Sequence, residues 1–588
     1  MTATSSVSAP SGSHVRRLLP FLRPDAARFV GALVLTPVVA GLGLAQPILL
    51  KRALDQHVVA GVQDGLTTLA LGYLAVVAAG YLLEATYTVL LATAAENSIY
   101  RLRSSLFQQL LSLSQRFYER QPTGQLMTRA TSDIDALNDA LTAGSVSMLL
   151  DILVMGGTLV AMFTLDTKLT LLLLCVAPPI VAVLEFCRRR MRALFAEIRD
   201  ALAALNAFGA ERIAGIEVLQ MYGQEQRAAE RFRALDERHR DANVSNNLYD
   251  AALYAFIDGV ASVCIALMLS WGAGAGDAIS VGLVVAFVDY IDRIFRPLRE
   301  FSGKITFLQR ASAALEKIFW LLAVDERIAA GSRSIESTSG RLSIRNLSFR
   351  YRPDGPLILD DINLEVLPGE VVAVVGRTGA GKSTLVRLLA RVHDGYQGCI
   401  EVDGVELREI APGAIRKAIG SVRQEVQLFR DTLRGNITLG DASLDPARVA
   451  EAIEISNADR IAARHAEGLD HLVRERGGDL SAGEAQIIAL ARSLARDPGL
   501  VILDEATSSV DPVTEALLQD AIRRVFARKT CLVIAHRLST ITGANRILVL
   551  DGGRVAESGT HAELLAMEGL YARLYAEGFG TTAAAASA

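Results

Sequence analysis

The chain has 588 residues, 51% of them in the apolar set AVILMFWYC and 21% charged, and 60 Lys plus Arg against 64 Asp plus Glu leave a net charge of −4. At about 150 residues per ordinary domain, this length excludes a single small binding module. The apolar content and a mean hydropathy of +0.31 exclude bulk disorder, and the near-neutral charge offers no general attraction for a phosphate backbone, so nucleic acid is not an expected partner.

Residues 1–13 read as a disordered tail, and an amphipathic segment begins at His14. Six apolar stretches follow, near Phe29–Leu50, Leu66–Ala95, Gly144–Leu165, Leu169–Phe186, Leu248–Trp271 and Ile279–Phe295. They approach or exceed the roughly 20 helical residues that cross a ~30 Å hydrocarbon layer. The first could be mistaken for a secretory signal cleaved after Ala45, but it is long and a mostly polar segment precedes it, which favours a membrane span.

The segment after span two carries Arg101, Arg103, Arg116, Arg120 and Arg129, and the one after span four opens with Arg188, Arg189 and Arg190. The positive-inside bias places both in the cytoplasm, and six crossings then leave both termini there too. The remaining connections are short and poor in positive charge, with Lys51 and Arg52 as minor exceptions. Both cytoplasmic connections keep helical periodicity, as in Ala193–Leu205 and Gln224–Leu235, so the helices are expected to continue beyond the bilayer.

Three carboxylates interrupt the spans: Asp258 in span five, and Asp289 and Asp292 in span six. In lipid each would cost about 2.5–3.5 kcal/mol at mid-bilayer. Arg293 and Arg296 stand at i,i+4 to Asp289 and Asp292, so pairing along one face near the cytoplasmic end of the span is the expectation there. For Asp258 a cavity favouring cationic amphiphiles stays open. The five cysteines, Cys175, Cys187, Cys264, Cys399 and Cys531, have no metal or disulfide spacing and read as small buried hydrophobes.

A helical pattern over Phe301–Leu322 leads into a polar, small-residue linker at 326–340. Beyond it, Leu342–Tyr351 and Leu359–Val366 read as strands, and Val371–Val375 as a strand covered on both faces. The last runs into Gly376-Arg377-Thr378-Gly379-Ala380-Gly381-Lys382-Ser383, followed by Thr384 and a helical pattern. This is G-x-x-x-x-G-K-[ST] in the strand, loop, helix context that it requires. Its backbone N–H groups and helix N-terminus suit phosphate, Lys382 the β and γ groups, and Ser383 a Mg²⁺ ion. A second buried strand, Leu500–Leu503, ends in Asp504, which can hold Mg²⁺ through water, and Glu505, which can orient or deprotonate an attacking water. A third, Cys531–Ala535, ends at His536, an imidazole placed to sense the γ-phosphate. Residues 580–588 read as a disordered tail.

This ordered set resembles ABC transporters of the exporter type, from His14 to about Phe579. The resemblance implies a membrane all-α six-helix exporter bundle over 14–325, then an α/β P-loop ABC ATPase domain with a helical subdomain over 341–579. It makes Tyr351, 25 residues before the phosphate loop, the aromatic on which adenine stacks. Gln424 becomes the glutamine at Mg²⁺. Ser508-Ser509-Val510-Asp511 is similar to the loop crossing between paired ATPase domains, and Glu475-Arg476-Gly477 to the segment that meets the cytoplasmic helices. Phe117-Tyr118-Glu119-Arg120 and Gly124–Leu137 resemble the first coupling helix and its approach, and Ala210–Glu225 the second.

Leu480-Ser481-Ala482-Gly483-Glu484 occupies the signature position, which in the family faces the triphosphate on the other chain of the pair. The family pattern has glycine and glutamine where this chain has Ala482 and Glu484, while its phosphate loop, Glu505 and His536 are intact. That asymmetry points to one half of a heterodimer that supplies the consensus catalytic residues. The implied activity is ATP- and Mg²⁺-dependent export of hydrophobic or amphipathic substrates across a plasma or bacterial inner membrane, by alternating access. A homodimeric exporter or lipid flippase, an ATP-gated channel or regulator, and an exporter-shaped importer stay open.

Overall fold

The computed structural model describes residues 11–274, 280–329, 331–335, 339–504, 511–535 and 538–577. The chain forms two compact units: one of residues up to Leu111 together with Thr123–Val324, the other of Ser112–Pro122 together with Asp325 onward.

The first unit is helical throughout. A short helix, Ser11–Leu22, precedes Ala26–Ala53, and the long helices Leu66–Ser112, Val146–Leu165, Ala177–Ala214, Glu225–Gly274 and Val281–Ala323 follow. Among the described residues, four helices are long and apolar enough to cross a membrane by length and composition. They cover spans one, two, three and five of the sequence reading.

Span four differs from expectation. Its helix stops at Leu174 and restarts at Ala177, and Pro178 and Pro179 occupy the first turn of the new helix, where their missing N–H groups do no harm. The helix of span six runs without a break into the helical pattern expected at Phe301–Leu322, as one helix of 43 residues to Ala323. Asp289 and Arg293 lie in the first third of that helix. Their pairing is present, at 2.6 Å, as is that of Asp292 with Arg296 at 3.2 Å.

Polar contacts tie the membrane helices together where apolar packing cannot select a register. Asp25, 3% exposed, accepts from Arg101 at 2.6 Å and Asn97 at 3.1 Å and pairs with Arg28. Asp55 accepts from the Ser280 hydroxyl at 2.6 Å and the Gly282 N–H at 2.8 Å, and pairs with Lys51 at 3.2 Å. A side chain at 282 would bring Cβ within 2.5 Å of the Lys51 carbonyl, so the approach requires glycine. That pairing also explains a lysine in a connection otherwise poor in positive charge. Asp151 and Lys304 form a largely buried pair at 2.5 Å that sequence spacing does not disclose.

In the second unit a six-stranded sheet has the order β10-β9-β3-β8-β7-β6. Its strands are β3 (Val371–Gly376), β6 (Ile419–Val422), β7 (Leu500–Asp504), β8 (Thr530–Ile534), β9 (Arg546–Asp551) and β10 (Arg554–Gly559). All neighbours are parallel except β9 and β10. A four-stranded antiparallel sheet has the order β2-β1-β4-β5, from β1 (Leu342–Phe349), β2 (Leu359–Val366), β4 (Gln397–Val402) and β5 (Val405–Glu406). Alternate residues of β3 serve different cores: Val371, Ala373 and Val375 pack with Val501, Leu503 and Val533, whereas Val372 and Val374 pack with Leu500, Ile502 and Leu532. A strand buried on both faces has no polar alternation, which is why it reads as a continuous apolar run. Short helices including Leu433–Thr438, Pro446–Ile455 and Ala458–Ala462 pack with Ala482–Leu494 as a helical subdomain.

Of the cysteines, Cys187, Cys264 and Cys531 are buried, but Cys175 is exposed at the helix break and Cys399 is half-buried, its thiol 2.6 Å from Glu406. The expectation of burial fails for those two, because one sits where the helix stops and the other shares the less buried face of β4 with Gln397 and Glu401, opposite Ile400 and Val402.

Candidate nucleotide site

The parallel sheet brings the chemistry to one edge. β3, β8 and β7 are consecutive neighbours running the same way, so the loop after β3, the exit of β8 and Asp504 at the end of β7 share the carboxyl edge, where ligands of such sheets bind. Neighbouring strands are about 4.8 Å apart, which puts the end of β7 roughly 10 Å from the end of β3. Glu505, Ser508-Ser509-Val510 and His536 follow these strand ends in the chain and lie outside the described residues.

The loop from Gly376 to Gly381 turns through left-handed glycines at 379 (φ +85°) and 381 (φ +101°). A side chain at 381 would place Cβ 2.7 Å from Leu359 and 2.9 Å from the Ile358 carbonyl, so strand β2 leaves room for glycine alone. Gly381 caps the helix Lys382–Leu389 without a side-chain hydrogen bond, and no side chain of the cap competes for the first N–H groups. Arg377, Thr378 and Gly379 are exposed along the loop, Ala380 is buried, and Ser383 is exposed at the first helical turn.

The Lys382 side chain is buried and its ammonium donates to the carbonyls of Gly376 and Arg377, which holds the charge inside the loop. Burial lowers its pKa, and the negative charge of Asp504 opposes that shift, so the lysine and the strand-end carboxylate sense each other. Ser383 and Asp504 supply hard oxygen donors of the kind that Mg²⁺ takes, and so does Gln424, exposed just past β6.

Tyr351 reaches the same helix. Its hydroxyl is 3.1 Å from that of Thr384 and accepts from Arg387 at 3.4 Å, and its ring packs edge-on to Phe349 and His393. A cleft of about 1140 Å³ is lined there by Tyr351, His393, Tyr396, Arg350 and Arg408. His393, 4% exposed, faces Glu119 at 3.2 Å; burial pushes the imidazole pKa below its ordinary value. Glu119 belongs to the short helix Gln115–Arg120, within the segment that sits in this unit although its neighbours in sequence belong to the helical unit. Sequence reasoning singled out Glu119 but not its partner: nothing near His393 in the chain marks it.

Ser481 caps the helix Ala482–Leu494 in a reciprocal box: its hydroxyl accepts from the Glu484 N–H at 3.2 Å while the Glu484 carboxylate accepts from the Ser481 N–H at 2.8 Å. Ala482 is the first helical residue, so alanine costs the backbone nothing where the family has glycine. Leu480 packs against the core and Gly483 is buried. Asp511 caps Pro512–Phe526, accepting from the Thr514 N–H at 2.9 Å. Glu475–Gly477 forms a single 3₁₀ turn upstream of the signature.

A helical membrane region joined to an ATPase with a phosphate loop at its sheet edge defines an ATP-driven membrane transporter, and comparison with known proteins agrees. Residues 29–298 match the family model for the ABC transporter transmembrane region, and residues 359–508 the ABC transporter model. A protein of Staphylococcus aureus named as a multidrug export ATP-binding/permease protein is 33% identical over 575 residues, covering 95% of this chain and 99% of that one. An ATP-dependent lipid A-core flippase of Thiobacillus denitrificans is 33% identical over 574 residues, covering 97% and 99%. A solved bacterial Atm1-family ABC exporter with ATP bound superposes with a TM-score of 0.73 at 27% identity, covering 94% of this chain and 98% of that one. The chain belongs to the ABC transporter family, as a membrane region and an ATPase fused in the exporter order. It binds ATP and couples its hydrolysis to transport across a membrane.

Proposed function

We propose that this chain exports hydrophobic or amphipathic molecules as one of two subunits, with each ATP held between the phosphate loop of one chain and the signature of the other. The observation that carries this reading is the helix that starts at Gly381 without a side-chain cap, with Lys382 held inside the loop and Asp504 at the end of β7, two strands along the same sheet edge. Tyr351 stacks on adenine. Ser383, Gln424 and Asp504 hold Mg²⁺, which when bound neutralises charge on the β and γ phosphates. Glu505 takes the proton of the attacking water, His536 contacts the γ-phosphate, and Asp511 belongs to the segment that crosses between the paired ATPase units. ATP binds the paired state more tightly than the separated one, which is the condition for it to shift the equilibrium at all.

The decisive variant is Glu505→Gln: hydrolysis falls about 10²–10⁴-fold, the range a general base supplies, while ATP is still retained. Full hydrolysis by that variant removes the assigned base.

The relatives named for multidrug export and for lipid A-core flipping support an apolar or amphipathic cargo. Asp289 and Asp292 are paired with arginines, so they do not supply an uncompensated cation site. The distribution of Lys and Arg supports a bacterial inner membrane orientation with the ATPase and both termini in the cytoplasm. The changes at Ala482 and Glu484 support a different half-transporter as the partner. A second reading, pairing with a second copy, is favoured by one observation: Glu484 is charge-compensated by Arg464 at 2.6 Å, which removes the electrostatic reason for a weak signature. Brisk ATP hydrolysis by the chain purified without any other polypeptide selects the second copy; its absence, restored by a co-purifying chain, selects the heterodimer.

A further inference from the structure

Glu484 places a carboxylate where the family has an amide, in a segment assigned to meet a triphosphate. An uncompensated negative charge there repels the ligand. Both of its oxygens are engaged within the chain: one accepts from the Ser481 N–H at 2.8 Å, the other from the Arg464 guanidinium at 2.6 Å. The carboxylate is only 13% exposed and the guanidinium 40%, so the pair is less screened than one at the open surface. Arg464 follows the short helix Ala458–Ala462, 20 residues before Glu484, and no local periodicity relates the two. Its charge also reaches Asp511, whose carboxyl is held below the usual range chiefly by hydrogen bonds from the Thr514 backbone and hydroxyl, with Arg464 adding to them.

We propose that Arg464 is the positioning residue that makes an acidic signature compatible with ATP: it cancels the Glu484 charge and holds that carboxylate in the helix cap. Ser481 then keeps its hydroxyl hydrogen for the γ-phosphate of the facing chain, because its oxygen is the acceptor in the cap. This rests on the reading that the signature meets a triphosphate on another chain.

The test is ATP hydrolysis across a range of MgATP concentrations by the full-length chain, purified with any second chain it carries and reconstituted in phosphatidylethanolamine–phosphatidylglycerol vesicles. Arg464→Ala raises KM about tenfold with a smaller change in kcat. Arg464→Lys, and the double variant Arg464→Ala with Glu484→Gln, return KM to within about twofold of the parent, because each removes the charge imbalance. A loss that persists in the double variant overturns the proposal, since Arg464 then acts on the fold. Should Arg464→Ala fail to fold, the double variant decides alone: a parental KM supports the proposal and a raised one overturns it. Ser481→Ala separates the two layers. If it raises KM while Arg464→Ala does not, only the counter-ion role falls; if neither has an effect, the placement of the signature against ATP falls with it.

Discussion

Two helices of the ATPase unit begin at segments assigned to phosphate, and they begin in opposite ways. Lys382–Leu389 starts at a left-handed glycine with no side-chain cap, so the first-turn N–H groups face the loop. Ala482–Leu494 starts at a complete capping box, Ser481 with Glu484, that satisfies its own donors. The first terminus leaves its donors without a side-chain partner. The second is stable by itself and has only a hydroxyl to offer. An orphan helix end is a binding device, whereas a capped one is a positioned surface.

Lys382→Ala breaks the first half of that contrast and has the largest expected effect. Losing a charge-assisted donor inside the loop weakens ATP binding by about 10–100-fold, at roughly 1.5–3 kcal/mol for such a bond, measured by equilibrium binding to the full chain. Retained affinity means that the N–H groups alone hold the phosphates.

Ser481→Ala tests the second half. It removes the cap at a cost of about 1 kcal/mol, and hydrogen exchange at the start of Ala482–Leu494 accelerates even without nucleotide. No such local effect is expected from Lys382→Ala, because that terminus has no side-chain cap to lose.

His393 has the smallest effect. Its pKa is lowered by burial, so the fold holds it neutral: its contribution is fully present above the ordinary histidine value of about 6.5 and is lost as pH falls below it. The melting temperature of the full chain therefore drops between pH 7.5 and 5.5, and His393→Gln flattens part of that slope. An unchanged slope in the variant would show that other groups carry the acid sensitivity.

The phosphate loop was legible because its chemistry is local: a strand, glycines at set spacing and a lysine, all within one short stretch. Strands β1 and β2 are legible to within two residues from their alternation, and β3, β7 and β8 from their apolar runs; β4, β5, β6 and β10 are short or half-exposed and carry little signal, whereas β9 is a buried apolar run that the sequence reading passes over. The break at Cys175-Val176 was missed for a related reason. Hydropathy registers a stretch, but not where backbone hydrogen bonding pauses.

By itself the sequence determined which residues could bind phosphate, since conformation at Gly381 and charge at Lys382 are properties of neighbours in the chain. Only the tertiary structure decided that Arg464 meets Glu484 and that His393 meets Glu119. Arg464 and Glu484 are 20 residues apart, and Glu119 and His393 are separated by 274. Electrostatic compensation depends on distance in space, and a linear pattern holds no record of that until the chain has folded.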